Sequence, residues 1–143
     1  MIAEPVDLAA ILAEIARPSH GAQLLFTGTI RDDDHGRRVV AVSYDVLSPL
    51  CEKVIGEICA EAQARCAASL SLAVVQRRGR IEAGQVGIAI AVGAPHRAEA
   101  YAASRHLIEQ VKARAPIWKR EHYADGESAW LKGHALCAAP KAP

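Results

Sequence analysis

The stretch 94–121, APHRAEAYAASRHLIEQVKARAPIWKRE, carries the residues whose types and spacing best suit chemistry. His96 and Arg97 follow an apolar strand pattern and open a helical one. The free N–H groups and positive dipole end of a helix start favour an anion, and Arg97 adds a planar, bidentate donor. The same pair equally suits an ordinary surface helix start, with His96 capping or packing. Lys112 and Lys119 sit around the other end of that helix, separated by Ala115-Pro116, and between Lys112 and Arg120 there are four basic residues and no acid. A lysine in a last helical turn complements the dipole there. A lysine among other cations also gives up its proton more easily and can act as base or nucleophile. Trp118 can stack on a flat heterocycle or fill core. Together, Arg31, His96, Arg97, Lys112, Lys119 and Arg120 suit one basic pocket for a phosphorylated or otherwise anionic small molecule.

Other constellations are missing: the sequence has no GxSxG, no P-loop, no GxGxxG and no HxxxH or HExxH pair of metal ligands. Asp32, Asp33 and Asp34 read as solvated loop charge rather than a cation site, so no metal is expected. Cys51, Cys59, Cys66 and Cys137 form no CxxC pair. The first three fall eight and seven apart, on much the same side of one helix, and read as small buried hydrophobes.

The chain has 143 residues, is 51% apolar and carries 17 Lys plus Arg against 16 Asp plus Glu. That length suits one domain with its own core. The near-neutral sum argues against nucleic acid as a partner, but it is unevenly spread: residues 95–123 hold six Lys plus Arg against three Glu. The start, Met1-Ile2-Ala3-Glu4-Pro5, lacks the basic-then-apolar layout of a signal peptide. No apolar run approaches the roughly 20 residues that span a bilayer. No membrane association and a cytoplasmic setting are the expectation.

The elements that must position these residues follow from periodicity. Asp7 can cap a helix over 8–16, with Leu8, Ile11, Leu12 and Ile15 at helical spacing. Residues 22–30 read as a strand with Leu24, Phe26 and Ile30 on one face, and 38–46 as a second, joined in a hairpin with a charged tip. Ser48-Pro49 starts a helix running to about 67. Strands follow at 70–76, ending in Arg77-Arg78-Gly79-Arg80, and at 86–92. In the latter Gly87, Ala89, Ala91 and Gly93 make one face small enough for close approach by a helix or another backbone. Pro95 opens a second long helix, with Ala98, Tyr101, Ala102, Ile108 and Val111 available for its inner side, and Pro116 ends it. Strands 117–123 and 128–132 join through Asp125-Gly126, a tight-turn dipeptide. The sum is an α+β fold with a mostly antiparallel sheet, two long helices and a C-terminal hairpin: one domain over 1–137 and a frayed tail at 138–143.

Three segments resemble a known family. Phe26-Thr27-Gly28-Thr29-Ile30-Arg31, then Gly36 and Val42-Ser43-Tyr44-Asp45, resemble the N-terminal signature of the molybdopterin synthase catalytic (large) subunit, the MoaE family. Gly79-Arg80-Ile81 with Gly84 and Val92 through Arg97 are similar to its middle section, and the run from Lys112 to Glu121 to its most diagnostic segment. The resemblance spans roughly 5–133 in unbroken order, with apolar exchanges at Leu47, Leu50-Cys51 and Ile117. It implies an α/β hammerhead fold and a homodimer within a heterotetramer, with a small ubiquitin-like subunit at each end. That partner carries a C-terminal thiocarboxylate, whose sulfur passes to cyclic pyranopterin monophosphate to form the molybdopterin dithiolene. The resemblance makes Thr29, Ile30, Arg31, His96, Arg97, Lys112, Lys119, Arg120 and Glu121 the substrate-binding residues, Lys112 and Lys119 the catalytic ones, and requires no metal or other cofactor. The alternative is a non-catalytic module that binds a ubiquitin-like tail or a phosphorylated anion in the same pocket. Such a module has no need to keep Lys112.

Overall fold

In the computed structural model, which describes residues 1–131, three helices and eight strands follow the order α1 (Leu8–Ile15), β1 (Ala22–Thr29), β2 (Asp33–Asp34), β3 (Arg37–Val46), α2 (Ser48–Ala64), β4 (Ser71–Gln76), β5 (Gly79–Glu82), β6 (Val86–Ala94), α3 (Arg97–Arg114), β7 (Ile117–Tyr123) and β8 (Ser128–Trp130). The expectations for the tail at 138–143, for Cys137 and for the end of the last strand at 132 lie outside the described residues. Among those described, no helix is long and apolar enough to cross a membrane.

Two antiparallel sheets form. The first has the order β1-β6-β4, with Leu24 opposite Val92 and Val74 opposite Ile90. The second runs β2-β3-β7-β8, and β5 pairs with β3 on the edge opposite β7, beyond the short β2 pairing. The hairpin expected between 22–30 and 38–46 is therefore not made: its two strands belong to different sheets. A short β2–β3 ribbon turns instead through His35 and Gly36, both at positive φ, the backbone a tight turn of this hand demands. Strand β5 falls where only a basic strand end was expected, because four residues beginning at a glycine show too little alternation to read.

Small residues on β6 do receive a helix. α1 is capped by the Asp7 carboxylate, which accepts from the Ala10 N–H at 3.0 Å. It sets Ile11 and Ile15 against Ala89 and Ala91. A Cβ on Gly93 would lie 2.6 Å from the Ile15 carbonyl oxygen and 2.5 Å from His20 Nδ1. Gly93→Ala is thus expected to cost about 1–3 kcal/mol by overpacking, read as a lower midpoint in urea unfolding; an unchanged midpoint would mean α1 is free to retreat.

The opposite face of the first sheet packs on α2 and α3. Ile58, Ala62, Ile90, Val92, Leu107 and Val111 form the main core, with Leu24 and Phe26 against it. Ile30 does not share their face: a register shift after Gly28 sends it into a second cluster with Val39, Val42, Ile81 and Tyr123. α3 is rotated from expectation. Its buried residues are Ala100, Ala103, Ser104, Leu107 and Val111, whereas Tyr101 is 63% exposed. Alanines on several faces leave that helix little periodic contrast. Pro49 stands in the first turn of α2 as expected, but Leu47, not Ser48, is the capping residue, without a side-chain bond. Cys51 is buried and Cys59 half-buried, and burial pushes both thiols up. Cys66 lies beyond the helix end.

Candidate active site

The C-terminal turn of α3 and the start of β7 meet β3, β4 and β6 around a cleft of about 400 Å³. Its cations are Arg31, from the loop after β1, Lys112 on α3 and Lys119 on β7. Ile88, Val111 and Ile117 supply apolar wall, and Tyr44 and Gln76 add polar groups. Pro116 ends α3 one turn after Lys112 and lets the chain re-enter as β7, which is how two lysines distant in the helical pattern come to share one cavity. Tyr44 is the register partner of Lys119 on the neighbouring strand. Gly87 makes room for it, since a Cβ there would come within 3.3 Å of the Tyr44 ring.

The two lysines differ. Lys119 Nζ donates to Glu121 Oε1 at 2.7 Å, and the Tyr123 hydroxyl donates to Glu121 Oε2 at 2.9 Å. Glu121 is buried. Burial alone would push its carboxyl up, but the bonds from Lys119 and Tyr123 more than offset this and hold it below the usual carboxylate range. Lys112 is exposed and has no ion pair among the described residues, so its ammonium is free to move within the cleft.

A carboxylate whose folded pKa lies below its unfolded value contributes stability that is complete above the unfolded value, about 4.3, and is lost as pH falls through the folded one. Glu121→Gln is therefore expected to lower Tm at pH 7 and to flatten the loss of Tm on acidification below about pH 4. Parallel Tm-against-pH curves for the two proteins would refute this.

The remaining expected residues are dispersed. His96 and Arg97 are exposed at the far end of α3, where fifteen residues at 1.5 Å each put Arg97 about 22 Å from Lys112. One chain does not bring them to the cleft. Side chains alternate along β7, so Arg120 and Trp118 face away from Lys119 and Glu121. Arg120 donates to Ser128 Oγ and lies 5.7 Å from the Trp130 ring; Trp118 is 42% exposed and lines no part of the cleft. Thr29 is exposed at the end of β1. Ile30 is core, its N–H donating to Gln85 and its carbonyl accepting from Gly84. Asp33 and Asp34 are taken up in the β2–β3 ladder, and among the described residues no group of three or more His, Cys, Asp or Glu is placed to hold a metal ion.

Tyr44 and Gln76 were missed. Tyr44 entered only as a residue of the strand 38–46 and of the N-terminal signature, without a role in the pocket, and its pairing with Lys119 leaves no trace in local pattern. Gln76 had a faint signal, a polar residue closing the apolar run LAVV.

Fold and cleft together define an α+β protein that offers a small anionic molecule three cations and an apolar wall. The family model described as MoaE protein matches residues 1–114, and the chain belongs to that family. A molybdopterin synthase catalytic subunit from Synechococcus elongatus is 41% identical over 133 residues, covering 93% of this chain and 81% of its own length. The crystal structure of molybdopterin synthase from Staphylococcus aureus superposes with a TM-score of 0.86 at 29% identity, covering 91% of this chain and 93% of that one. The fold also matches that in a complex of subunits 1 and 2 of molybdopterin-converting factor from Helicobacter pylori, at TM-score 0.75 and 23% identity over 96% of this chain and 97% of that one. These relatives place the chain in molybdenum cofactor biosynthesis, among synthase catalytic subunits.

Proposed function

We propose that this protein transfers sulfur from the C-terminal thiocarboxylate of a small ubiquitin-like subunit to cyclic pyranopterin monophosphate, as a single domain over 1–137. The observation that carries the reading is the cleft of about 400 Å³ in which Arg31, Lys112 and Lys119 stand beside an apolar wall. Its cations suit a phosphate and a thiocarboxylate, and its apolar wall suits a flat ring. Lys119, held by Glu121, is a fixed charge that offsets the negative charge developing as the thiocarboxylate attacks. Lys112, which has no ion pair among the described residues, is the group able to move the proton. Each thiocarboxylate sulfur bonds to a pterin side-chain carbon and displaces the oxygen that carbon carried. Water then adds to the acyl carbon of the resulting thioester, the acyl C–S bond breaks, the tail leaves as a carboxylate and the sulfur stays on the pterin as a thiolate. The family relationship and the Helicobacter pylori subunit complex support the partner. A cytoplasmic setting suits this chemistry.

The phosphate clamp includes His96 and Arg97 of a second copy of this chain. β1 is an edge strand of its sheet, and beside it a cavity of about 360 Å³ is lined mostly by apolar side chains, Leu24, Phe26, Tyr101 and Ile108 among them, together with the charged Arg105 and Glu109. A mostly apolar groove along an edge that is unpaired among the described residues is a surface that suits pairing. Ser104 lies midway between His96 and Lys112. A two-fold axis crossing α3 near it runs the two helices antiparallel and sets His96 and Arg97 of one copy beside Lys112 of the other.

Reconstitution tests the function: the protein is mixed with a thiocarboxylated small subunit and the pyranopterin, and dithiolene is assayed. Product formation is expected; binding of both ligands without product would leave the non-catalytic module instead.

A further inference from the structure

Gln76 is 5% exposed at the end of β4, opposite Ile88 of β6, and both residues line the cleft. Its amide can be oriented in one way only. Nε2 donates to the Arg77 carbonyl at 2.9 Å and to the Gly87 carbonyl at 3.2 Å, and since both partners are acceptors the nitrogen must be the atom facing them. Oε1 is therefore turned away from the backbone and has no hydrogen-bond partner among the described residues, yet it is not sealed in the core. Gln76 lines the cleft, and that is the space the structure offers this oxygen.

The charged groups there are of the opposite kind. Arg31, Lys112 and Lys119 only donate. Burial, and then the charge of Glu121, push the Tyr44 phenol up, so it too keeps a proton to give. A ligand whose only polar feature is an anion would leave Gln76 Oε1 unmatched, and an unmatched buried acceptor disfavours binding. We propose that Gln76 is a specificity-determining residue whose Oε1 accepts an N–H from the substrate's heterocyclic ring while the cations hold its anionic end. This rests on the functional reading above and adds to it: the cleft selects a ring that carries an N–H donor edge, and it sets which way round that ring lies.

The test uses the reconstituted reaction with small subunit in excess. Gln76→Leu is expected to raise KM for the pyranopterin about tenfold with kcat within twofold, and to leave the Kd of the small subunit unchanged. Gln76→His is expected to restore KM, because a neutral imidazole can donate to the Gly87 carbonyl from one nitrogen and accept at the other. An unchanged KM in the leucine variant overturns the proposal. So does an unchanged KM with a weakened Kd, which would assign Oε1 to a peptide N–H of the partner's tail. Should the leucine variant not fold, calorimetry on the wild-type protein decides: a stable phosphorylated pterin should bind about tenfold more tightly than its ring-N-methylated counterpart, and equal affinities overturn the proposal. A wild-type protein that makes no dithiolene overturns the functional reading, while the calorimetric comparison still decides Gln76.

Discussion

Lys112→Ala is expected to lower kcat for dithiolene formation by about 10²–10³-fold while leaving the small subunit's Kd and the protein's Tm unchanged. The expectation rests on the contrast between the two lysines of the cleft. Lys112 is exposed and has no ion pair among the described residues, so its charge gives the fold no more than the small dipole contribution of a cation in a last helical turn. Lys119 is bonded to the buried Glu121 carboxylate at 2.7 Å. Lys119→Ala therefore removes a charge from the cleft and leaves that carboxylate without its cation, and it should lose both activity and Tm. Single-turnover kinetics with titrated small subunit separate the cases. A Lys112→Ala protein that turned over normally would remove Lys112 from the chemistry and leave Lys119 as the candidate. A fall in Tm equal to that of Lys119→Ala would show an unseen structural role.

The two lysines were legible in sequence because Pro116 must end a helix and the residues on either side of it are basic. Much of the fold was legible for similar local reasons: Asp7 as a cap, Asp125-Gly126 as a turn, the small face of β6 as a place for close packing. What local pattern could not convey was which strand pairs with which. Residues 22–30 and 38–46 are adjacent in the chain and alternate well, yet β1 pairs with β6, and β3 with β5 and β7. Tyr44 and Gln76 reach the cleft only through such pairings. Two misplacements were readable from geometry already implied. Neighbours on a strand point to opposite faces, so Lys119 and Arg120 cannot both enter one cleft with their side chains. A helix running from Pro95 to Pro116 keeps its two ends more than 20 Å apart, so His96 and Arg97 could not join Lys112 within one chain.

That separation makes the strongest prediction about assembly. Arg97→Ala and Lys112→Ala are each expected to be nearly inactive alone, yet their co-expressed mixture should recover about a quarter of wild-type activity. If each cleft draws Arg97 from the other copy, a mixed dimer has one cleft with both defects and one with neither. Random pairing makes half the dimers mixed, and half of their clefts are intact. A site completed within one chain predicts no recovery, because every chain then carries a defect in its own cleft. The same outcome would follow if α3 did not run antiparallel to its copy. Tyr101→Glu separates these cases. Tyr101 is 63% exposed beside the β1 edge, so a charge there should disturb the proposed two-fold contact without disturbing the core. The variant is expected to be monomeric by light scattering, to bind the small subunit, and to make little product even with Arg97 and Lys112 intact. An active monomer would show that the cleft needs nothing from a second chain.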